Sequence, residues 1–178
     1  MSAVPCHIME VSPRELVESA QADFEGPLTG YAAGLLGGDW DRARDVVQDT
    51  FIKLHKQDPD AIKGKLKSWL YTVCRNRSID VLRKENPMIT SGGEAFAKLD
   101  DSTPDPSASM QQKERHEEVL KFLDRLPDNQ REVIRLKFQG DLSYKEISDV
   151  TGLSVSNVGF LIHTGIKRLR SMMGVDLD

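Results

Sequence analysis

The spacing of apolar residues constrains the fold of this 178-residue chain more than any other feature. These residues recur three and four positions apart almost throughout, which places them along one face of an α-helix. The clearest case is DWDRARDVVQDTFIKLHK, whose helical stripe comprises Ala43, Val46, Val47, Thr50, Phe51 and Leu54. A strand would need alternating apolar and polar residues, and no such run is long enough to predict one. The chain is therefore predicted to be all-α.

Capping residues, glycines and prolines predict where the helices begin and end. Asp39 or Asp41 is expected to cap the second helix, and Asp128 to cap the helix that ends at Gly140. The first helix is expected to run to Leu36, and Gly26-Pro27 is a candidate interruption within it. The predicted helices span residues 13–36, 39–56, 63–84, 108–126, 128–140, 144–151 and 155–173.

The stretch between the two groups of helices has the composition of a linker. Its glycines and prolines are Pro87, Gly92, Gly93, Pro104 and Pro106. They stand among Ser, Thr and Asp, with too few large apolar side chains to form a core. We therefore predict two small helical domains, residues 1–86 and 110–178, joined by a flexible acidic linker over residues 87–109.

The charges are distributed unevenly within a formal net charge of -4. Residues 65–84 carry six Lys and Arg side chains against one acid, and the last helix adds Lys167, Arg168 and Arg170. Between them, residues 94–118 carry seven acids against three bases. Phosphate contact depends on Lys and Arg, so the negative net charge argues against a protein that coats nucleic acid generally. The uneven distribution favours contact through two separate basic helices.

A helix-turn-helix pattern occupies LSYKEISDVTGLSVSNVGFLIHTGIKRLR. The motif needs a small residue early in its first helix and a glycine in the turn, here Ser148 and Gly152. Ile147, Leu153 and Val158 supply apolar side chains where the helices cross. An ordinary helical hairpin with a capped turn is the alternative. If the motif reads DNA, its second helix presents Ser154, Ser156, Asn157, Gly159, Phe160, His163, Lys167 and Arg168 to the duplex.

Three stretches, in this order, resemble one protein family. They are FEGPLTGYAAGLLGGDWDRARDVVQDTFIKLH, LKSWLYTVCRNRSIDVLRKENP and LDRLPDNQREVIRLKFQGDLSYKEISDVTGLSVSNVGFLIHTGIKRL. Together they resemble the sigma factors of bacterial RNA polymerase, in particular the small extracytoplasmic-function (ECF) group. The resemblance implies a sigma-two domain, a flexible linker and a sigma-four domain that bind core RNA polymerase and recognise promoter DNA, with an anti-sigma factor as a further candidate partner.

The resemblance also implies roles for individual residues. The residues expected to dock on the largest polymerase subunit are Asp45, Gln48, Asp49 and Phe51. A solvated acidic face is the alternative for the two aspartates. The residues expected to read and melt the minus-ten element are Arg75, Asn76, Arg77, Asp80, Arg83 and Lys84. Trp69 lies in the apolar stripe, so we expect it to pack in the core rather than to stack on a base.

The second helix of the motif departs from the family pattern. Members usually carry Lys and Arg early in this helix, where the chain has Gly159, Phe160 and Leu161, and Thr164 replaces another common base. This weakens the expected contact with the minus-thirty-five element. Phe160 either contacts a thymine methyl group or packs inward.

Other classes of function find little support in the sequence. MSAVPCHIMEVSPREL lacks a basic start followed by an apolar run, which predicts a cytoplasmic protein, and no apolar run is long enough for membrane insertion. Cys6-His7 is a candidate metal-binding pair, but we expect a frayed chain terminus there instead. We expect no cofactor and no enzymatic activity. A helix-turn-helix regulator that binds an operator without polymerase is the main alternative function, and a helical adaptor is another. Neither accounts for both DVVQDTF and WLYTVCRNR.

Overall fold

The computed structural model describes residues 12–88 and 118–174, and within these ranges the regular elements are helices. The predicted all-α class is confirmed. The helices are α1 (Pro13–Leu35), α2 (Trp40–His55), α3 (Pro59–Ile62), α4 (Leu66–Glu85), α5 (118–123), α6 (Asp128–Phe138), α7 (Tyr144–Thr151) and α8 (Val155–Met172). The short α3 was not predicted from the apolar spacing.

The first helix, α1, starts at a capping box. The Ser12 hydroxyl accepts a hydrogen bond from the Glu15 N–H, and the Glu15 carboxylate accepts one from the Ser12 N–H. Gly26-Pro27, the candidate interruption, does not break the helix, because α1 continues through Pro27. Proline removes one backbone hydrogen bond, but Leu28 and Tyr31 directly beyond it are buried in the core. Packing of this face holds the helix together across the proline.

The apolar stripe of α2 is confirmed residue by residue. Its buried residues are Ala43, Val46, Val47, Thr50, Phe51 and Leu54. Of the two candidate caps, Asp39 is the one used, because its carboxylate accepts a hydrogen bond from the Arg42 N–H at 3.0 Å. The stripe packs against α1 and α4, which builds the core of the amino-terminal module (residues 12–88).

In the carboxy-terminal module (residues 118–174), the predicted cap of α6 is wrong. Pro127 occupies the N-cap position, and no side chain there accepts a hydrogen bond. Asp128 is the first residue of the helix, and its carboxylate pairs with the Arg131 guanidinium one turn later. Phe138, the last residue of this helix, is 64% exposed.

Two glycines of α8 have different surroundings. A Cβ at Gly165 would lie 2.6 Å from Cδ1 of Ile134, so α6 approaches α8 more closely than a larger residue would permit. A glycine inside a helix is less favourable than alanine by about 1 kcal/mol, and this close packing offsets that cost. A Cβ at Gly159 would instead make ordinary contact with the Tyr144 ring at 3.5 Å.

The two modules pack against each other and share one hydrophobic core. Its buried residues include Leu70 and Tyr71 of α4 and, from the carboxy-terminal module, Leu142 and Ile147. Helices α4 and α7 are in contact. At the junction a Cβ on Gly140 would lie 3.0 Å from the Tyr71 ring, so the chain after α6 passes directly over that tyrosine. The sequence predicted separate domains but did not predict this contact.

The described cysteine, Cys74, lies inside this core and is fully buried. Burial raises the pKa of its thiol to about 12, because the thiolate would lose its hydration. Cys6 and the pair Cys6-His7 lie outside the described residues. None of the helices in residues 12–88 and 118–174 is both long enough and apolar enough to cross a membrane.

Candidate nucleic-acid interface

The helix-turn-helix forms around α7, Gly152 and α8. Ser143 and Glu146 make the capping box that begins α7. Gly152 ends it with φ +75°, a left-handed conformation that favours glycine. The Ser148 hydroxyl donates to the Leu153 carbonyl at 2.6 Å, which ties the first helix to the turn.

Apolar side chains pack together where the two helices cross. Ile147 of α7 and Val158 of α8 are both fully buried, and Leu153 packs against the same core. Burying such a side chain contributes about 1.5–3 kcal/mol. The angle between the helices, and hence the direction in which α8 faces, is therefore held by the core.

The outward face of α8 carries nearly all of the predicted DNA-contacting side chains. Ser154 is the N-cap, and its hydroxyl accepts a hydrogen bond from the Asn157 N–H at 3.2 Å. Gly159 is half-buried beside Tyr144. The exposed members of the set are Ser154, Ser156, Asn157, Phe160, His163, Lys167 and Arg168. Phe160 is 64% exposed, which removes the alternative that it packs inward.

Helix α4 presents a second polar face. Asn76, Asp80 and Lys84 are exposed at a spacing of four residues, and Arg83 is half-buried beside them. Trp69 is half-buried and packs against the core, in line with the expectation from its apolar stripe. Tyr71 is buried, and its ring meets the Tyr31 ring edge-on with centroids 5.3 Å apart.

The two remaining arginines of α4 have partners within the chain. Arg77 donates from Nε to the Asp49 carboxylate at 2.7 Å, which joins α4 to α2. Arg75 donates to Glu132 of α6 in two hydrogen bonds, from Nε at 2.6 Å and from Nη2 at 3.2 Å. This second pair crosses between the modules.

Glu132 and Tyr31 were not predicted from the sequence to be site residues. The Tyr31 hydroxyl donates to the same Glu132 carboxylate at 2.9 Å, so one buried carboxylate binds two side chains of the amino-terminal module. Burial and the neighbouring Glu132 charge raise the pKa of Tyr31 well above its usual value. Burial lowers the pKa of Arg75, but the hydrogen bond and charge of Glu132 outweigh that effect and raise it. Apolar periodicity carries no signal for such a contact between residues about a hundred positions apart.

The predicted docking residues of α2 divide into two groups. Asp45 and Gln48 are exposed. Asp49 is half-buried and bonded to Arg77, and Phe51 is only 3% exposed. Phe51 therefore lies in the core and supports the helix from within. Across the described part of the chain, no His, Cys, Asp and Glu side chains cluster as a metal site.

Comparisons with known proteins connect both modules to one family. The Sigma-70 region 2 family matches residues 22–87, and the Sigma-70 region 4 family matches residues 116–169. The ECF RNA polymerase sigma factor RpoE of Cereibacter sphaeroides is 31% identical over 74% of this chain and 70% of its own length. The chain belongs to the ECF sigma factors. The sequence resemblance is thereby confirmed, and this sigma factor is a transcription initiation factor that binds core RNA polymerase and promoter DNA.

Further comparisons give a second ECF relative and two solved structures with the same fold. SigM of Bacillus subtilis is 29% identical over 73% of this chain and 78% of SigM. The solved structure of RpoE from Bartonella quintana, in complex with the anti-sigma factor NepR, has the same fold with a TM-score of 0.70, 24% identity and coverage of 90% of this chain and 98% of that one. CnrH, solved in complex with the cytosolic domain of CnrY, gives a TM-score of 0.62 at 25% identity, covering 92% of this chain and 91% of that one.

Proposed function

We propose that this sigma factor divides its task between its two modules. Residues 1–86 dock on core polymerase and act on the minus-ten element, residues 110–178 read the minus-thirty-five element, and residues 87–109 connect them. The observation that carries the proposal is the pair of exposed polar faces, one on α4 and one on α8, each backed by buried apolar residues. Each face belongs to a different module.

Docking on polymerase falls to the outer face of α2. Asp45 and Gln48 are exposed on this helix, whereas Phe51 on its opposite face is buried. An exposed carboxylate can pair with Arg or Lys on a partner. Within this face, Asp49 has a structural role as well, because it holds Arg77.

Helix α4 is the element that melts the promoter in this proposal. Strand opening requires cations to hold the DNA backbone and polar groups to receive an unstacked base. Arg83 and Lys84 supply charge in the last turn of α4, and Asn76 and Asp80 supply polar groups on the same side. Arg75 and Arg77 lie on the same helix, and each is bound to a carboxylate of the chain, Glu132 and Asp49 respectively.

Recognition of the minus-thirty-five element falls to the exposed face of α8. Asn157 can make paired hydrogen bonds to adenine, and an exposed Phe160 suits a thymine methyl group. Lys167 and Arg168 are exposed near the other end of the helix, where cations contact phosphate. Few Lys and Arg side chains lie near Ser156, so this module binds DNA weakly by itself. High affinity then requires both modules to be bound to polymerase at once.

The cellular setting follows from the same family. Sigma factors are non-enzymatic, and we propose no catalytic activity and a cytoplasmic location for this one. Two structurally similar proteins were solved in complex with an anti-sigma factor, NepR, and with the cytosolic domain of CnrY. By analogy, we include an anti-sigma factor among the partners of this chain.

Reconstituted transcription tests the proposed function. The purified chain with core polymerase is expected to initiate at a subset of promoters from a library, whereas the chain alone should bind the same DNA poorly. The measurement is run-off transcript yield, with core polymerase alone as the control. Tight, specific DNA binding without core polymerase would instead identify an operator-binding regulator.

Replacement of both Arg83 and Lys84 by alanine is expected to impair promoter opening more than core binding. The substitutions remove two positive charges from α4 and leave Asp45 and Gln48 of α2 unchanged. Permanganate footprinting measures opening, and fluorescence anisotropy with labelled chain measures core binding. The matched control is Lys53 and Lys56 to alanine, two exposed bases at the end of α2. Equal loss of opening and core binding would show that α4 has been assigned the wrong role.

A further inference from the structure

An aromatic side chain lies in the middle of the exposed face of α8. One stripe along this helix comprises Ser156, Phe160, His163 and Lys167, which recur at intervals of four, three and four residues. All four are exposed, whereas Val158 on the opposite side is fully buried. A helix-turn-helix places the amino-terminal half of its second helix against base edges. Phe160 therefore faces the bases, and Lys167 lies about 10 Å further along the helix.

Small side chains surround Phe160 on this face. Its neighbours are Ser156, Gly159 and Thr164. The Thr164 hydroxyl is bonded to the helix itself, because it donates to the Phe160 carbonyl at 2.8 Å. Beside Gly159 lies the ring of Tyr144, which an added Cβ would meet at 3.5 Å. The Phe160 ring is therefore the largest group that this part of α8 presents to a DNA groove.

The same part of α8 carries no charged side chain. From Ser154 to Ile166 the sequence contains no Lys, Arg, Asp or Glu. Guanine is most often read by two hydrogen bonds from Arg or Lys, and cytosine by the carboxylate of Asp or Glu. Neither contact can be made from this stretch. Asn157, which is exposed beside the stripe, has the side chain that suits adenine.

A phenyl ring distinguishes base pairs by the groups that it covers. In the major groove thymine presents a C5 methyl group, and a phenyl ring gains free energy by burying it. The ring cannot bond to the amino group of cytosine or to the O6 and N7 acceptors of guanine. Covering those polar groups without a partner costs free energy. A ring at this position therefore favours thymine and disfavours a G·C pair.

We propose that Phe160 is a specificity-determining residue of this sigma factor, and that it selects an A·T pair in the minus-thirty-five element through the C5 methyl group of thymine. This inference rests on the proposed recognition of that element by α8. Burial of one methyl group corresponds to about a fourfold change in affinity. Phe160 thus takes over part of the reading that Lys and Arg perform in other members of the family.

The test uses the full chain bound to core polymerase and a promoter that this holoenzyme selects from a library. Each thymine of the minus-thirty-five element, on either strand, is replaced in turn by deoxyuridine, which lacks only the C5 methyl group. At one or more positions the apparent Kd of the wild-type holoenzyme for the promoter should rise about fourfold. With Phe160→Ala the same replacement should leave the apparent Kd unchanged, because the side chain that contacts the methyl group is gone.

Phe138→Ala is the matched control, because Phe138 of α6 has the same 64% exposure as Phe160. This variant should retain the fourfold difference between thymine and deoxyuridine. Lys167→Ala is a second control. It should weaken binding to both duplexes alike, since a phosphate contact carries no sequence information.

Three results would overturn the inference. They are a selected element that contains no thymine, a wild-type holoenzyme that is insensitive to every deoxyuridine, and a thymine preference that persists in Phe160→Ala. None of them would contradict the proposed function. That function fails if the wild-type chain with core polymerase shows no promoter selectivity at all, which the library selection reveals before any base is replaced.

Discussion

Ile147→Ala is expected to lower the free energy of unfolding by about 2–5 kcal/mol, the usual range when a buried Ile or Leu is truncated and leaves a cavity. Ile147 is fully buried on α7, in the same core as Val158 of α8. Its loss should destabilise the crossing of the two helices, and DNA binding should fall with it. Chemical denaturation monitored by circular dichroism measures the stability change.

Ile52→Ala is the matched control for this prediction. Ile52 is 54% exposed on α2, so the same substitution removes little buried surface there. Its effect should stay within about 0.5 kcal/mol, as is usual for a surface position. Equal destabilisation by both substitutions would contradict the assignment of Ile147 to the core.

Asp45→Arg is expected to weaken binding to core polymerase about a hundredfold. A reversed charge on an interface that pairs opposite charges places like charges together, which costs several kcal/mol. Asp45 is exposed on α2 and is not required for the core, so the fold should survive. Fluorescence anisotropy with core polymerase measures the affinity, and circular dichroism checks the helix content.

The control for Asp45→Arg is Glu18→Arg, a reversal at an exposed acid on α1 that forms an ion pair with Arg14. It should leave polymerase binding within about twofold of wild type, because the effect of an exposed charge away from the contact is screened by salt. Equal weakening of polymerase binding by both reversals would show that binding depends on net charge in general. It would contradict a specific docking role for Asp45 on α2.

Local structure was predictable wherever short-range physics decides it. The stripe of α2 from Ala43 to Leu54 follows from helical geometry, and Gly152 follows from the need for a left-handed turn. The capping box of Ser143 and Glu146 follows from three-residue spacing. Each depends on residues within about one or two helical turns of each other.

Predictions that ignored competing partners were less successful. Asp128 looked like a cap, but it pairs with Arg131 instead. Pro27 looked like a break, but the packing of Leu28 and Tyr31 carries α1 past it. Phe51 was named both as a core residue and as a docking residue, and its burial places it in the core.

The sequence by itself determined the helical class, the helix-turn-helix and the sigma-factor family, because periodicity, caps and turn residues act over short distances along the chain. Only the tertiary structure decided that the two modules share a core and that Glu132 binds Arg75 and Tyr31. Those partners are 57 and 101 positions apart. No local pattern encodes which distant carboxylate a guanidinium will meet, since that depends on how whole helices pack.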